Sequence, residues 1–292
     1  MFLYWVLINL AVPFWIKPIK SYHSYLAYRI DNHDQFSNYM KRVRRLINYL
    51  DLPFRFILEQ YGMHQLAGMP EKMIAESLVS GHQFTAEGYA FGGEIIVYGI
   101  VDVIRAEGRS SVTGYEYPSS LPQQAKASVE EVVQRAVRQT GLSDCAFNAD
   151  LFYNFDKKKV FLLEINPRIS QAFTDLFEKV HGISHHGIML NLALNRKPKE
   201  LGSEGKARVA GHFMIRSFTA GRVVQVPSEE ELGTMKRKFP GLEIFITVQK
   251  IPTWEDWLFI MQIVTAILWP IFILEEKTGR CCIKIILKYP ET

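Results

Sequence analysis

Glu164, Asn166 and Arg168 stand two apart in the stretch Val160–Ser170, in the composition of a buried strand. Side chains alternate faces along a strand, so these three share one face while Leu163, Ile165 and Pro167 take the other. A carboxylate, an amide oxygen and a guanidinium together suit a divalent cation and a phosphate: oxygens for Mg²⁺, a planar fork for phosphate oxygens. A surface strand with ordinary polar residues satisfies the same spacing. Asp150 sharpens the signal. It lies in Phe147–Tyr153, and a turn at Asp156–Lys158 folds that run back so that Asp150 approaches Glu164. Asp150, Glu164 and Asn166 then present hard oxygen ligands for Mg²⁺ or Mn²⁺ held jointly with substrate phosphates. Lys17, in another strand, offers a point charge to those phosphates, and Glu76 is placed like a polar residue at a hinge.

The elements that must position these residues read as mixed α+β. Phe14–Ile19 and Ser24–Ile30 form a strand pair, and Asp31 or Asn32 caps a helix striped by Phe36, Tyr39, Met40, Val43, Leu46, Ile47 and Leu50, with Pro53 just past its end. A strand is expected at Met73–Val79, then Gln83–Phe91 and Glu94–Arg105 joined by the hairpin signal Gly92-Gly93. Val112–Tyr117 is a further strand. Pro122 opens a helix to Thr140 with Ala127, Val129, Val132, Val133 and Val137 inward and Gly141 closing it. The hairpin Cys145–Phe155/Lys159–Asn166 comes next, with helices at 172–180 and 185–195. Strands at 209–216, 222–226 and 242–248 and a capped helix at 228–238 complete the pattern. No dinucleotide fingerprint, P-loop or internal repeat is present.

Composition bounds the partners. The 292 residues are 48% hydrophobic and 22% charged, with a formal net charge of +4, which are globular values with room for one or two domains. The basic run Lys41–Arg45 lies in a helical pattern and reads as a solvated face, so no nucleic-acid partner is expected. Three cysteines, Cys145, Cys281 and Cys282, make neither a disulfide framework nor a zinc pattern, which points to a reducing cytoplasm. Met1–Ile16 is apolar without a basic leader or cleavage site, so it is not read as a signal peptide. Trp257–Leu274 holds eighteen residues without a charge, the length of a membrane span, though Gln262 and Pro270 weaken that reading.

At its polar residues the chain resembles the ATP-grasp superfamily, in particular its carboxylate–amine ligase and biotin-carboxylase-like branch. The landmarks come in order: Ile16-Lys17-Pro18, Ala75-Glu76 before a short apolar segment, Thr85-Ala-Glu87-Gly88, Asp150, and Glu164-Ile-Asn166-Pro-Arg168. The stretch Ile169–His185 also resembles the segment after the metal motif in that branch. The resemblance covers Pro13 to Val248. It implies two α+β lobes clamping ATP, mainly antiparallel sheets with helices on one face, divided as 13–80 and 81–250. It further implies adenine against the hinge near Glu76, Ser77 and Val79, and Lys17 on the α- and β-phosphates. Asp150, Glu164 and Asn166 would hold Mg²⁺ (or Mn²⁺), and Arg168 would face the transferred phosphoryl group. The implied reaction activates a small carboxylate as an acyl phosphate that an amine captures.

Two departures set further expectations. Lys20–Tyr25 carries no glycine where relatives have a glycine-rich loop, leaving Ser21, His23 and Ser24 as hydrogen-bond donors. Residues 1–12 read as a remnant in place of an N-terminal domain, and 251–292 as an atypical hydrophobic tail. Plausible codons from Trp254, read two nucleotides out of register, spell a more soluble sequence, so a frame shift near Pro252–Trp254 is expected; a genuine tail would instead meet a membrane or partner. The rival functions are a non-catalytic ATP-binding fragment and a membrane-anchored interaction protein. Glu87 is read as approaching ribose or metal, or else as an exposed strand glutamate. His185-His186 is read as a helix cap at the surface, with metal binding as the alternative, and Tyr115–Ser120 as a loop or cleft wall.

Overall fold

The computed structural model describes residues 11–19, 25–63, 72–202, 204–215, 226–239, 241–246 and 268–273. The chain forms two compact units, Met1–Val79 and Ser80–Thr292.

The first unit is a three-stranded antiparallel sheet in the order β2-β1-β3, with β1 at Phe14–Pro18, β2 at Tyr28–Ile30 and β3 at Met73–Ser77. Helix α1, His33–Gln60, starts at Asn32, whose Oδ1 accepts from Gln35 N–H at 2.9 Å while Gln35 Oε1 accepts from Asp31 N–H. Two otherwise orphaned amides are satisfied there. Its Tyr39, Met40, Val43 and Ile47 bury against Phe14 and Ile16 of β1 and Ile30 of β2. Alternation along β1 then puts Trp15 and Lys17 on the opposite face. Pro53 lies inside α1 rather than beyond it. The helix runs on past the proline with Phe56 and Ile57 exposed, as Leu52 is just before it.

The second unit is an eight-stranded antiparallel sheet in the order β10-β11-β9-β6-β5-β4-β7-β8. Its strands are β4 His82–Phe91, β5 Glu94–Arg105, β6 Val112–Tyr117, β7 Cys145–Asn154, β8 Lys159–Asn166, β9 Ala210–Phe213, β10 Glu243–Ile246 and β11 Leu268–Ile273. Gly92 and Gly93 both adopt positive φ at the β4–β5 turn, the conformation the dipeptide predicts. Helix α2, Gln123–Thr140, packs Ala125, Val129, Val133 and Val137 on Phe84, Ala86, Phe147, Ala149 and Leu151. Ala125, not Ala127, belongs to the buried face; Ala127 is exposed because the four-residue spacing runs 125, 129, 133, 137. Helices α3, Thr174–His181, and α4, His185–Ala193, cover the other face through Leu176, Phe177, Ile188 and Leu192. Within the expected class, then, this sheet carries helices on both faces. A fifth helix, α5 at Glu229–Lys238, opens with a capping box between Ser228 and Glu231.

Part of the apolar tail joins the sheet. β11 pairs antiparallel with β10 and β9 at Leu268–Ile273, inside the stretch whose length suggested a membrane span. Among the described residues no helix is long and apolar enough to cross a membrane. Residues 257–267, residues 222–225 of the strand expected at 222–226, the loop 20–24 and the apolar residues 1–10 lie outside the described residues.

Candidate active site

β4, β7 and β8 lie side by side, and their register sets six polar residues on one face. Thr85 pairs with Asp150 and Asp150 with Glu164; one step along, Glu87 pairs with Asn148 and Asn148 with Asn166. Cross-strand partners project to the same side, so Thr85, Asp150 and Glu164 form one row and Glu87, Asn148 and Asn166 the next. This is the face that α3 and α4 cover over β4, β5 and β7.

A bulge makes that arrangement compatible with a buried core. Asp150 pairs with Glu164 but Leu151 pairs with Leu162, which leaves Leu163 as the extra residue. Val160, Leu162 and Ile165 all pack toward α2. Strict alternation puts Leu163 in the core; the bulge puts Leu162 there instead and keeps Glu164 and Asn166 on the polar face. The strand ends at Asn166, so Arg168 lies in the turn beyond it, where its N–H donates to Asn166 O and its Nη1 to Ile169 O at 3.2 Å.

Asp150 and Glu164 are in hydrogen-bond contact, and the pair cannot hold two full charges cheaply. Burial, then the charge of Glu164 and the hydrogen bond to it, raise the Asp150 carboxyl from its ordinary value to about 7, against the opposing pull of Arg168. A carboxyl that holds its proton beside a second carboxylate is a donor set that a divalent cation satisfies by replacing that proton. Asn166 adds the third oxygen-bearing group, its Nδ2 donating at 3.4 Å to both Glu164 Oε1 and Asn148 Oδ1. Among the described residues no cluster of three or more His, Cys, Asp or Glu side chains is assembled, so the donor set is two carboxylates plus an amide. Thr85 Oγ1, beside Asp150, is buried and makes no hydrogen bond among the described residues.

Glu87 is fully buried rather than exposed. Its Oε1 accepts from Asn148 Nδ2, and its Oε2 lies 3.1 Å from His185 Nε2 and 3.5 Å from the Ser170 N–H. Burial raises the Glu87 carboxyl, and His185, Asn148 and Ser170 pull it back. Both oxygens are thus engaged by the protein itself. His185 is likewise fully buried, contrary to a surface cap. It stacks on Phe177 with ring centroids 4.9 Å apart and meets the Tyr98 hydroxyl through Nδ1 at 3.2 Å. α4 turns its first residue inward, where Glu87 and the Tyr98 hydroxyl of the sheet meet both ring nitrogens. Asn148 is absent from the residues singled out by sequence, although its two-residue spacing from Asp150 is the same signal that marks Asn166; Thr85 enters there only as part of the Thr85-Ala-Glu87-Gly88 landmark.

A second buried carboxylate, Asp102, accepts from the Ser119 and Ser120 hydroxyls and the Ser120 N–H ahead of α2, with His82 Nε2 at 3.1 Å. Burial would raise it, but these four contacts prevail and hold it at about 2. Of the Tyr115–Ser120 stretch, Tyr115–Tyr117 end strand β6 and Ser119 and Ser120 lie beyond it, anchored on Asp102.

In the first unit Lys17 and Glu76 project from the face of the β-sheet opposite α1 and form an ion pair at 3.3 Å. Ser77 ends β3 and is exposed; Val79 is half-buried. The structure thus places Lys17, Glu76, Ser77 and Val79 in one unit, and Glu87, Asp150, Glu164, Asn166 and Arg168 in the other.

A family model described as an ATP-grasp domain matches residues 10–175. No curated protein matches the chain. Among solved structures, an L-amino acid ligase from Bacillus licheniformis is similar at TM-score 0.65 and 17% identity, over 92% of this chain and 61% of that one. A carboxyaminoimidazole ribonucleotide synthase from Aspergillus clavatus, complexed with ATP, gives TM-score 0.60 and 12% identity over 91% and 58%. A biotin carboxylase from Campylobacter jejuni, in complex with a β-γ-ATP ligand, gives 0.58 and 12% over 91% and 54%. At these identities the likeness is one of fold, and the chain spans 54% to 61% of those structures' length.

Proposed function

The chain belongs to the ATP-grasp family, and from that premise we propose that it is an ATP- and Mg²⁺-dependent ligase that activates a small carboxylate for capture by an amine. The observation that carries the proposal is the Asp150–Glu164 pair, in register on adjacent strands with Asn166 beside it. Asp150, Glu164 and Asn166 hold the cation, Mg²⁺ or Mn²⁺, through carboxylate and amide oxygens. When bound, that cation supplies charge neutralisation on the nucleotide's terminal phosphates. Arg168 stabilises negative charge on the phosphoryl group in transfer, a reading that its electrostatic pull on Asp150 supports. Lys17 contacts the phosphates and Glu76, Ser77 and Val79 the adenine, as the family pattern implies. The reacting carboxylate gains the γ-phosphoryl group as an acyl phosphate, ADP leaves, and the amine displaces phosphate to form the C–N bond. The substrates are small molecules.

The test is phosphate release from Mg·ATP with a panel of amino acids as carboxylate and amine. Release that requires both partners and disappears in Glu164→Ala supports the ligase. Mg·ATP binding without release under any pairing supports the second reading, an ATP-binding module that does not turn over. No effect of Mg·ATP on the protein at all overturns both.

A further inference from the structure

The cation-binding face is continuous with a buried chain of side chains that the reaction does not itself need. From the apolar side it runs Tyr98, His185, Glu87, Asn148, Asn166 and Glu164. Each link has a direction. Glu87 Oε2 faces His185 Nε2 and the Ser170 N–H, so whichever of Glu87 and His185 carries their shared proton, that proton sits on the Oε2 side. Glu87 Oε1 is left as an acceptor in either case. Asn148 must therefore turn its NH₂ toward Glu87 and its carbonyl oxygen toward Asn166. Asn166 in turn must direct its NH₂ to Asn148 and Glu164. An amide with both hydrogens committed on one side presents its oxygen on the other.

We propose that Glu87, His185 and Asn148 are positioning residues that lock the Asn166 amide with its oxygen toward the cation. The inference rests on the reading of Asn166 as a cation ligand and adds what fixes its orientation. An unrestrained asparagine could equally offer its NH₂, a group that repels a cation, and outer partners of this kind orient metal ligands elsewhere. Glu87 and His185 have no exposed surface, so solvent cannot reset the chain by competing for its hydrogen bonds. The buried ion-pair or neutral pair is costly to maintain for stability alone, which fits a purpose in orientation.

The experiment uses the full chain with Mn²⁺ and a non-hydrolysable ATP analogue, reading free Mn²⁺ by electron paramagnetic resonance. Glu87→Leu removes the acceptor that fixes the Asn148 amide, so Asn148, and through it Asn166, can adopt either orientation. Mn²⁺ affinity is expected to fall about tenfold or more. In an Asn166→Asp background both oxygens are equivalent and orientation no longer matters, so there Glu87→Leu is expected to change affinity by less than about twofold, a non-additivity of the kind coupled residues give. Asn148→Ala, with thermal melting of the cation-free protein to verify the fold, should repeat the pattern. Equal losses in both backgrounds, or none in either, overturn the positioning role while wild-type Mn²⁺ binding that needs Glu164 leaves the cation site standing. Absence of Mn²⁺ binding by the wild type overturns the site and the positioning role together.

Discussion

Asp150 and Glu164 face each other across β7 and β8, and their electrostatics make predictions that need no substrate. With the Asp150 carboxyl at about 7 when folded and near the usual carboxylate value of about 4 when unfolded, the folded chain binds a proton between those limits that the unfolded chain has released. Stability attributable to this group is therefore fully present below about pH 4, falls as pH rises, and is lost above about 7. Urea denaturation of wild type and Asp150→Asn at pH 5 and pH 8 checks the sign: the variant should gain on the wild type at pH 8. A divalent cation expels the same proton. Calorimetry in buffers of differing ionisation heat should record release of up to about one proton on Mg²⁺·nucleotide binding near pH 6.5, absent in Asp150→Asn. The pairing is legible in the sequence for a partly different reason: a turn at Asp156–Lys158 sets Asp150 against Glu164, whereas in the structure Asn154 pairs with Lys159, a register that would oppose Asp150 to Leu163, and the Leu163 bulge restores Glu164 as the partner. Glu87 and His185 are not legible as partners. Their contact is made between a strand and a helix 98 residues apart in number, and no local pattern reports such a distance across the fold.

At the scale of elements, irregularities aim the site. The Leu163 bulge lets β8 keep three aliphatic residues on α2 and still turn Glu164 and Asn166 to the other side. Period-two alternation along the strand identifies the polar face but assigns the wrong leucine to the core, since one inserted residue shifts the alternation. The β4–β5 pairing has a similar irregularity opposite Glu87 and Gly88, where Tyr98 of β5 is the extra residue. A Cβ on Gly88 would overlap the Phe147 ring and the Ile96 carbonyl oxygen. Gly88→Ala should therefore cost about 1–3 kcal/mol in denaturation, and should weaken Mn²⁺ binding as well because the adjacent Glu87 moves. In α1 the proline is not the terminator that its type suggests. Its ring removes one N–H and crowds the preceding turn, yet the helix continues to Gln60. Pro53→Ala should accordingly slow hydrogen exchange of the amides after residue 53, with a gain of up to about 3 kcal/mol.

The whole molecule presents two units, each with its own sheet and core, and a family match that spans both. Alternating apolar strands, the Gly92-Gly93 turn and the α2 stripe are enough to read the antiparallel framework from sequence, because each depends on neighbours within a few residues. The second strand outward from β6 is not readable in that way: β11 comes from an apolar stretch whose uninterrupted hydrophobicity resembles a span, and only pairing with β9 and β10 identifies it as sheet. The central claim concerns the Asp150–Glu164 pair as a cation-dependent nucleotide site, and thermal melting with ATP tests it most directly. A ligand at about 100 times its Kd stabilises the folded chain by about 2.7 kcal/mol, several degrees for a domain near 200 residues. The account predicts that shift with Mg·ATP, its loss when Mg²⁺ is chelated, and its loss in Glu164→Ala, whose side chain is exposed and whose removal leaves the core intact. An unchanged melting temperature with Mg·ATP, or an equal shift in wild type and Glu164→Ala, would contradict it.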